Sequence, residues 1–207
     1  MSIKNAYNHW ANTYDSNKNK TRDLDKTATQ QTLQKFDFEA VVELGCGTGK
    51  NTEWLVEKAE SIIALDFSEG MLAKARAKIA SPKVVFRQAD ITQNWNIPKD
   101  STDLICCNLI LEHIEDLVIV FRQTYTALKK GGRFFVCELH PFKQYLGGKA
   151  RFETEKGVEV LETYTHHISD FTDVAAKCGF RLVELKEWFD EGGNREVPRL
   201  LSLVFEK

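Results

Sequence analysis

Five short apolar runs, at residues 40–44, 61–65, 84–87, 104–108 and 133–138, alternate with longer stretches of helical character. This alternation restricts the possible folds more than any other feature of the chain. The stretches between are 51–58, 69–80 and 117–129; the second is built of Ala, Lys, Arg, Leu and Met, all good helix formers. Gly131-Gly132 is expected to stop the third. Strand–helix alternation predicts a parallel sheet with helices on both faces. Uninterrupted apolar runs such as Ala40-Val41-Val42 and Leu104-Ile105-Cys106-Cys107 suit strands covered on both sides. Two later runs, 181–188 and 200–205, follow one another without a helix between, so the sheet should finish with an antiparallel pair.

Two segments lie outside this alternation. Residues 3–36 read as two helices before the first strand. Residues 142–168 separate the fifth strand from a helix at 170–178 and contain a candidate hairpin, 151–154 against 159–164, turning near Lys156-Gly157. Insertions at the carboxyl ends of the strands fall where open α/β sheets bind ligands. A chain of 207 residues suits one domain. Its expected parts are a helical lid (1–37), a binding core (38–139), a cap insertion (140–168) and a closing helix and strand pair (169–207).

Composition narrows the partners. With 28 basic against 30 acidic residues and a net charge of -2, the chain has no basic excess to neutralise a run of phosphates, so no nucleic-acid partner is expected. No apolar run approaches the roughly 20 residues that span a bilayer, and the polar N-terminus lacks a signal core. A cytoplasmic protein, monomeric or homodimeric and without a membrane partner, is the expectation. The five cysteines show no CxxC or other metal-ligand spacing; they read as buried reduced thiols, and no metal site is expected.

The first strand runs into Glu43-Leu44-Gly45-Cys46-Gly47-Thr48-Gly49. Alternate glycines let the backbone turn tightly and approach a ligand without a Cβ in the way, and the helix that follows presents free amide groups to it. The second strand ends in Asp66, where a carboxylate can accept both hydroxyls of a ribose. A dinucleotide fingerprint beginning at Gly45 would need glycine at position 50, where Lys50 stands.

The pattern instead resembles ExGxGxG, the first motif of class I S-adenosylmethionine-dependent methyltransferases. The resemblance continues through Leu65-Asp66-Phe67-Ser68-Glu69-Gly70-Met71-Leu72, Gln88-Ala89-Asp90-Ile91, Asp103 to Leu109 with Leu111-Glu112-His113, and Leu128 to Arg133. It covers residues 38–139 in the family's order. It implies a Rossmann-like, seven-stranded, mostly parallel sheet with an antiparallel C-terminal pair, capped by the N-terminal helices and the insertion after strand five. The cofactor implied is S-adenosylmethionine, leaving as S-adenosylhomocysteine. By the same resemblance Glu43 orients the loop, Gly45, Cys46, Gly47 and Gly49 form it beside the methionine portion, and Asp66 holds the ribose. Phe67 and Met71 pack against the adenine, Asp90 meets its amino group with Ile91 on the ring face, and Asn108 and Leu109 end strand four beside the sulfonium. Tyr14 and Arg22, with Tyr7 and Trp10, resemble the lid of small-molecule members, where a tyrosine and a basic residue meet the cofactor carboxylate.

The acceptor is less constrained. Asn108 is followed by Leu109-Ile110, so the NPPY-like tetrapeptide of base-amino methyltransferases is absent. With the near-neutral charge this favours a small-molecule acceptor methylated on O, N or activated C. Histidine titrates near neutrality, and His140, His166 and His167, after strand five, are the candidates for removing an acceptor proton; His113 reads as a packing or capping residue. Two other readings stand beside this one: a non-catalytic or regulatory cofactor-binding module, and a nicotinamide-dependent oxidoreductase, against which Lys50 and the antiparallel final pair argue.

Overall fold

The structure, a computed structural model, describes residues 3–16, 18–148, 151–154, 157–160, 163–192 and 196–207, the two short spans 151–154 and 157–160 by their backbone alone. In chain order the elements are α1 (Ile3–Trp10), α2 (Lys20–Leu33), β1 (Ala40–Leu44), α3 (Thr52–Lys58), β2 (Ser61–Asp66), α4 (Glu69–Lys78), β3 (Val84–Gln88) and β4 (Thr102–Asn108). A 3-10 turn (Leu111–His113) and α5 (Val118–Ala127) follow, then β5 (Leu128–Leu139), α6 (Pro141–Tyr145), β6 (Arg151–Thr154), β7 (Gly157–Val160), α7 (Ile168–Cys178), β8 (Arg181–Trp188) and β9 (Leu200–Glu206).

Seven strands form one sheet in the order β3-β2-β1-β4-β5-β9-β8. β1, β2, β3, β4 and β5 run parallel, and β9 lies antiparallel between β5 and β8, as the missing crossover helix predicts. Winding proceeds outward from β1 in one direction and from β4 in the other. The switch between them opens a crevice at the carboxyl ends of the strands. Side chains alternate across the sheet. Val42, Leu44, Ile105, Cys107, Phe134 and Val136 pack with α5 and α7 on one face; Val41, Leu104, Cys106, Phe135 and Cys137 pack with Ala28 and Leu33 of α2 and Leu55 of α3 on the other. Burial on both faces explains why these strands read as unbroken apolar runs. α2 is thus part of the core along its C-terminal half, while α1 and the start of α2 overhang the crevice.

Three local expectations are corrected. The third crossover helix ends at Ala127, ahead of Gly131-Gly132, because Leu128 turns extended and pairs with Thr102 at the foot of the sheet. The second ends at Lys78, and Ile79 leaves it in an extended conformation. In the hairpin, Arg151–Thr154 pairs with Gly157–Val160, not with 159–164, because Tyr164 is held elsewhere, its N–H donating to Glu112 O at 2.7 Å. Lys156, at the expected turn, lies outside the described residues. Among the described residues no helix is long and apolar enough to cross a membrane.

Candidate active site

The crevice holds a cavity of about 290 Å³. Its floor is the loop that leaves β1. Gly45 and Gly47 have φ of +69° and +54°, in the left-handed region where a side chain is strained. A Cβ on Gly45 would come within 2.4 Å of Ile110 Cγ2, so the loop passes that side chain at a distance only glycine allows. Gly49, φ +83°, turns the chain into α3 and packs toward Ile79; it is not among the residues that line the cavity.

Asp66 ends β2 and clamps the loop. Its Oδ2 accepts from Gly47 N–H at 2.8 Å and its Oδ1 from Ser68 N–H at 2.8 Å. Each carboxylate oxygen has a second lone pair, so both retain capacity for a hydroxyl donor. Burial raises the carboxyl above its usual range, against the pull of these N–H groups. Glu43, on β1, is 3% exposed and accepts from Thr52 Oγ1; burial pushes it up to about 8, with Asp25 and Asp66 adding to the rise.

One wall comprises Phe67, Met71, Ala89, Asp90 and Ile91, at the ends of β2 and β3 and the first turn of α4. Asp90 Oδ1 accepts from Thr92 N–H and Oγ1 at 2.9 and 2.7 Å, which turns the chain back over the wall. The opposite wall is Asn108, Leu109, Ile110, His113 and Ile114. Leu109 has φ +55°, a strained conformation for a branched residue. What holds it is Glu138 of β5, whose Oε1 accepts from both Ile110 and Leu111 N–H at 3.0 Å. Burial drives this carboxyl well above its usual range.

The N-terminal segment forms the roof. Asn8 Oδ1 accepts from Ser68 Oγ at 2.7 Å and Gly70 N–H at 3.1 Å, docking α1 on the start of α4. Asp15 accepts from Thr48 Oγ1 at 2.6 Å and pairs with Lys78 at 2.8 Å. Arg22 stacks on the Tyr14 ring at 4.0 Å and donates from Nη1 to Tyr14 O; both line the cavity. So does Tyr7, whose hydroxyl lies 2.9 Å from His113 Nε2 and whose own ionisation burial pushes well up.

Of the residues selected from the sequence, Tyr14, Arg22, Glu43, Gly45, Cys46, Gly47, Asp66, Phe67, Met71, Asp90, Ile91, Asn108 and Leu109 all line this cavity. His140, His166 and His167 do not. His140 Nδ1 accepts from Phe142 N–H at 3.1 Å and caps α6, while its Nε2 lies 3.1 Å from Glu187 Oε1. Burial lowers its affinity for a proton, with Glu187 opposing. His166 Nε2 donates to Ile114 O at 2.7 Å, bracing the wall from behind, and His167 caps α7.

Asp25, Asn51 and Glu138 are not among the residues that the sequence motifs single out. Asp25 lies one turn beyond Arg22 on α2, and residues three apart share a helix face. An acid at that spacing, among the small residues Ala28 and Thr29, is the signal that was available. Glu138, inside an apolar strand, carries no comparable signal.

A family model described as a methyltransferase domain matches residues 42–136. The chain is 29% identical over 151 residues to a trans-aconitate 2-methyltransferase of Deinococcus radiodurans, spanning 65% of this chain but only 57% of that protein. It is 28% identical over 168 residues to a ubiquinone biosynthesis O-methyltransferase of Pseudomonas aeruginosa, spanning 80% and 68%. Among solved structures, an S-adenosylmethionine dependent methyltransferase from Mesorhizobium loti superposes with a TM-score of 0.75 at 21% identity, over 89% of this chain and 98% of that one. The DhpI–SAM–HEP complex superposes with a TM-score of 0.78 at 20% identity over the whole of both chains.

Proposed function

We propose that the chain is a class I S-adenosylmethionine-dependent methyltransferase that transfers the cofactor's methyl group to an O, N or activated C of a small-molecule acceptor in the cytoplasm. The observation that carries the reading is the convergence of the glycine loop, Asp66, Asp90-Ile91 and the end of β4 on one cavity. The residues present fit the cofactor. Gly45 and Gly47 leave the floor free of side chains, and Asp66 keeps lone pairs for two ribose hydroxyls. Phe67, Met71 and Ile91 offer apolar faces to a base, with Asp90 at its edge. Tyr14 and Arg22 would meet the carboxylate of the methionine tail.

S-adenosylmethionine, when bound, supplies an electrophilic methyl group, so the hard chemistry is the cofactor's. The chain's part is to hold the acceptor in line and exclude water; orientation alone supplies roughly 7–11 kcal/mol. Exclusion falls to the N-terminal helices as lid and to residues 140–168 as cap. Where the acceptor must lose a proton, His113 is the group we assign to take it, because its imidazole lines the cavity and Tyr7 orients it. His140 and His167 cap α6 and α7 outside the cavity, and His166 braces Ile114 of its wall from behind. A small acceptor accords with the relatives, named for trans-aconitate and for ubiquinone biosynthesis.

The test is binding followed by turnover. S-adenosylhomocysteine should bind in the micromolar range and raise the melting temperature, since a ligand of the folded state alone stabilises it. A screen of metabolite pools with methyl-labelled cofactor should then show label transfer. Calorimetry that detects NAD binding but none by S-adenosylhomocysteine refutes the reading; cofactor binding without transfer to any pool favours a regulatory binding module.

A further inference from the structure

Three polar side chains meet where α2, the start of α3 and the end of β4 converge on the cavity. Asp25 is 3% exposed and Asn51 is 7% exposed. Asn108 Nδ2 donates to Asp25 Oδ1 at 2.6 Å and to Thr29 Oγ1 at 2.9 Å, and Asn51 Nδ2 donates to Asp25 Oδ2 at 3.0 Å. Both amides thus donate to Asp25, and their own carbonyl oxygens, Asn51 Oδ1 and Asn108 Oδ1, are buried without a hydrogen-bond partner among the described residues. A buried polar atom left unpaired costs about 1–3 kcal/mol, so two such acceptors flanking one carboxylate call for an explanation. All three residues line the cavity. The Lys50 ammonium, also in the lining, is bound to Arg22 O and to Asp23 Oδ1 at 3.1 Å.

The unpartnered buried atoms of the cluster are both acceptors, two amide oxygens beside a carboxylate. Their complement is a group with several donors, no acceptor and a positive charge, which is a primary ammonium. We infer that Asp25, Asn51 and Asn108 form an ammonium-binding site, and that its occupant is the α-ammonium of the cofactor's methionine tail. This rests on the reading of the cavity as a cofactor site and assigns the amino end of the tail, which the sequence motifs leave open. Arg22 and Tyr14 on the same roof would take the carboxylate end, so α2 would read both charges of the tail from positions one turn apart. Burial raises the Asp25 carboxyl, against the pull of the two amides; an arriving cation would hold it ionised.

Three probes test this by calorimetry: S-adenosylhomocysteine, its deamino analogue, which keeps the carboxylate, and 5′-methylthioadenosine, which lacks the whole tail. The unaltered chain should bind the deamino analogue roughly 10- to 100-fold more weakly than S-adenosylhomocysteine, the effect of losing charge-assisted hydrogen bonds. Asp25→Asn should lose affinity for S-adenosylhomocysteine by a similar factor, discriminate little between it and the deamino analogue, and bind 5′-methylthioadenosine as before. A preference for the amine that survives Asp25→Asn overturns the assignment, as does an equal loss for 5′-methylthioadenosine. Should Asp25→Asn not fold, Asn51→Ala carries the test, and undiminished preference for the amine there overturns it. A folded, unaltered chain that binds no S-adenosylhomocysteine refutes the cofactor reading together with this one; binding that ignores the amine refutes this one alone.

Discussion

Replacing Glu43 with Gln should change the pH dependence of folding in a way that isolates one buried carboxyl. Burial holds Glu43 at about 8 in the fold, against 4.5 for an ordinary glutamate. A raised value means that the folded chain keeps the proton more tightly than the unfolded chain does. The resulting stability is fully present below about pH 4.5, shrinks as the pH rises and is gone above about pH 8. At roughly 1.4 kcal/mol per pH unit across that window, ionising Glu43 removes about 5 kcal/mol. The amide introduced by Glu43→Gln would keep the shape and the acceptor for Thr52 Oγ1 but carry no charge to bury. Asp25, Asp66, Glu112 and Glu138 are also raised by burial, so the unaltered chain alone does not isolate Glu43; they titrate in both proteins, and the difference curve removes most of their part. Urea unfolding followed by circular dichroism at pH 5, 6, 7 and 8 should show Glu43→Gln gaining on the unaltered chain by about 1.4 kcal/mol per pH unit. A constant offset matters little, since the slope carries the information. Parallel stability curves would show that Glu43 titrates in the fold as it does in the unfolded chain, and the reasoning would fail.

Gly45→Ala should cost about 2–4 kcal/mol, combining a left-handed conformation with overpacking, because φ is +69° and the added Cβ meets Ile110 at 2.4 Å; an unchanged urea midpoint would refute this. His140→Ala should cost about 1 kcal/mol as a lost helix cap while leaving S-adenosylhomocysteine affinity intact, since the imidazole caps α6 outside the cavity. With an acceptor in hand, a fall in kcat of roughly 100- to 10,000-fold would instead mark His140 as the general base.

Whatever depends on neighbours in the chain was legible in the residues alone. The alternation of apolar runs and helical stretches specified the parallel strands β1 to β5, and the absence of a crossover between residues 188 and 200 specified the antiparallel closure. The spacing from Glu43 to Gly49 and on to Asp66 located the floor of the cavity and its clamp, because positive φ and a strand-end carboxylate each leave a residue type behind. Tertiary structure decided the rest, through contacts between residues far apart in the chain. Leu128 would continue α5 by propensity, but pairing with Thr102 claims it for the sheet. Glu138 looks like an anomaly in an apolar strand until Ile110 and Leu111 arrive with two N–H groups for it. His113 meets the Tyr7 hydroxyl only because α1 crosses the crevice. Asp25 meets Asn51 and Asn108 only because three elements close on one point. A hydrogen bond across such distances leaves no periodicity for a single chain to display, since its two halves are chosen by geometry that exists only once the sheet has formed.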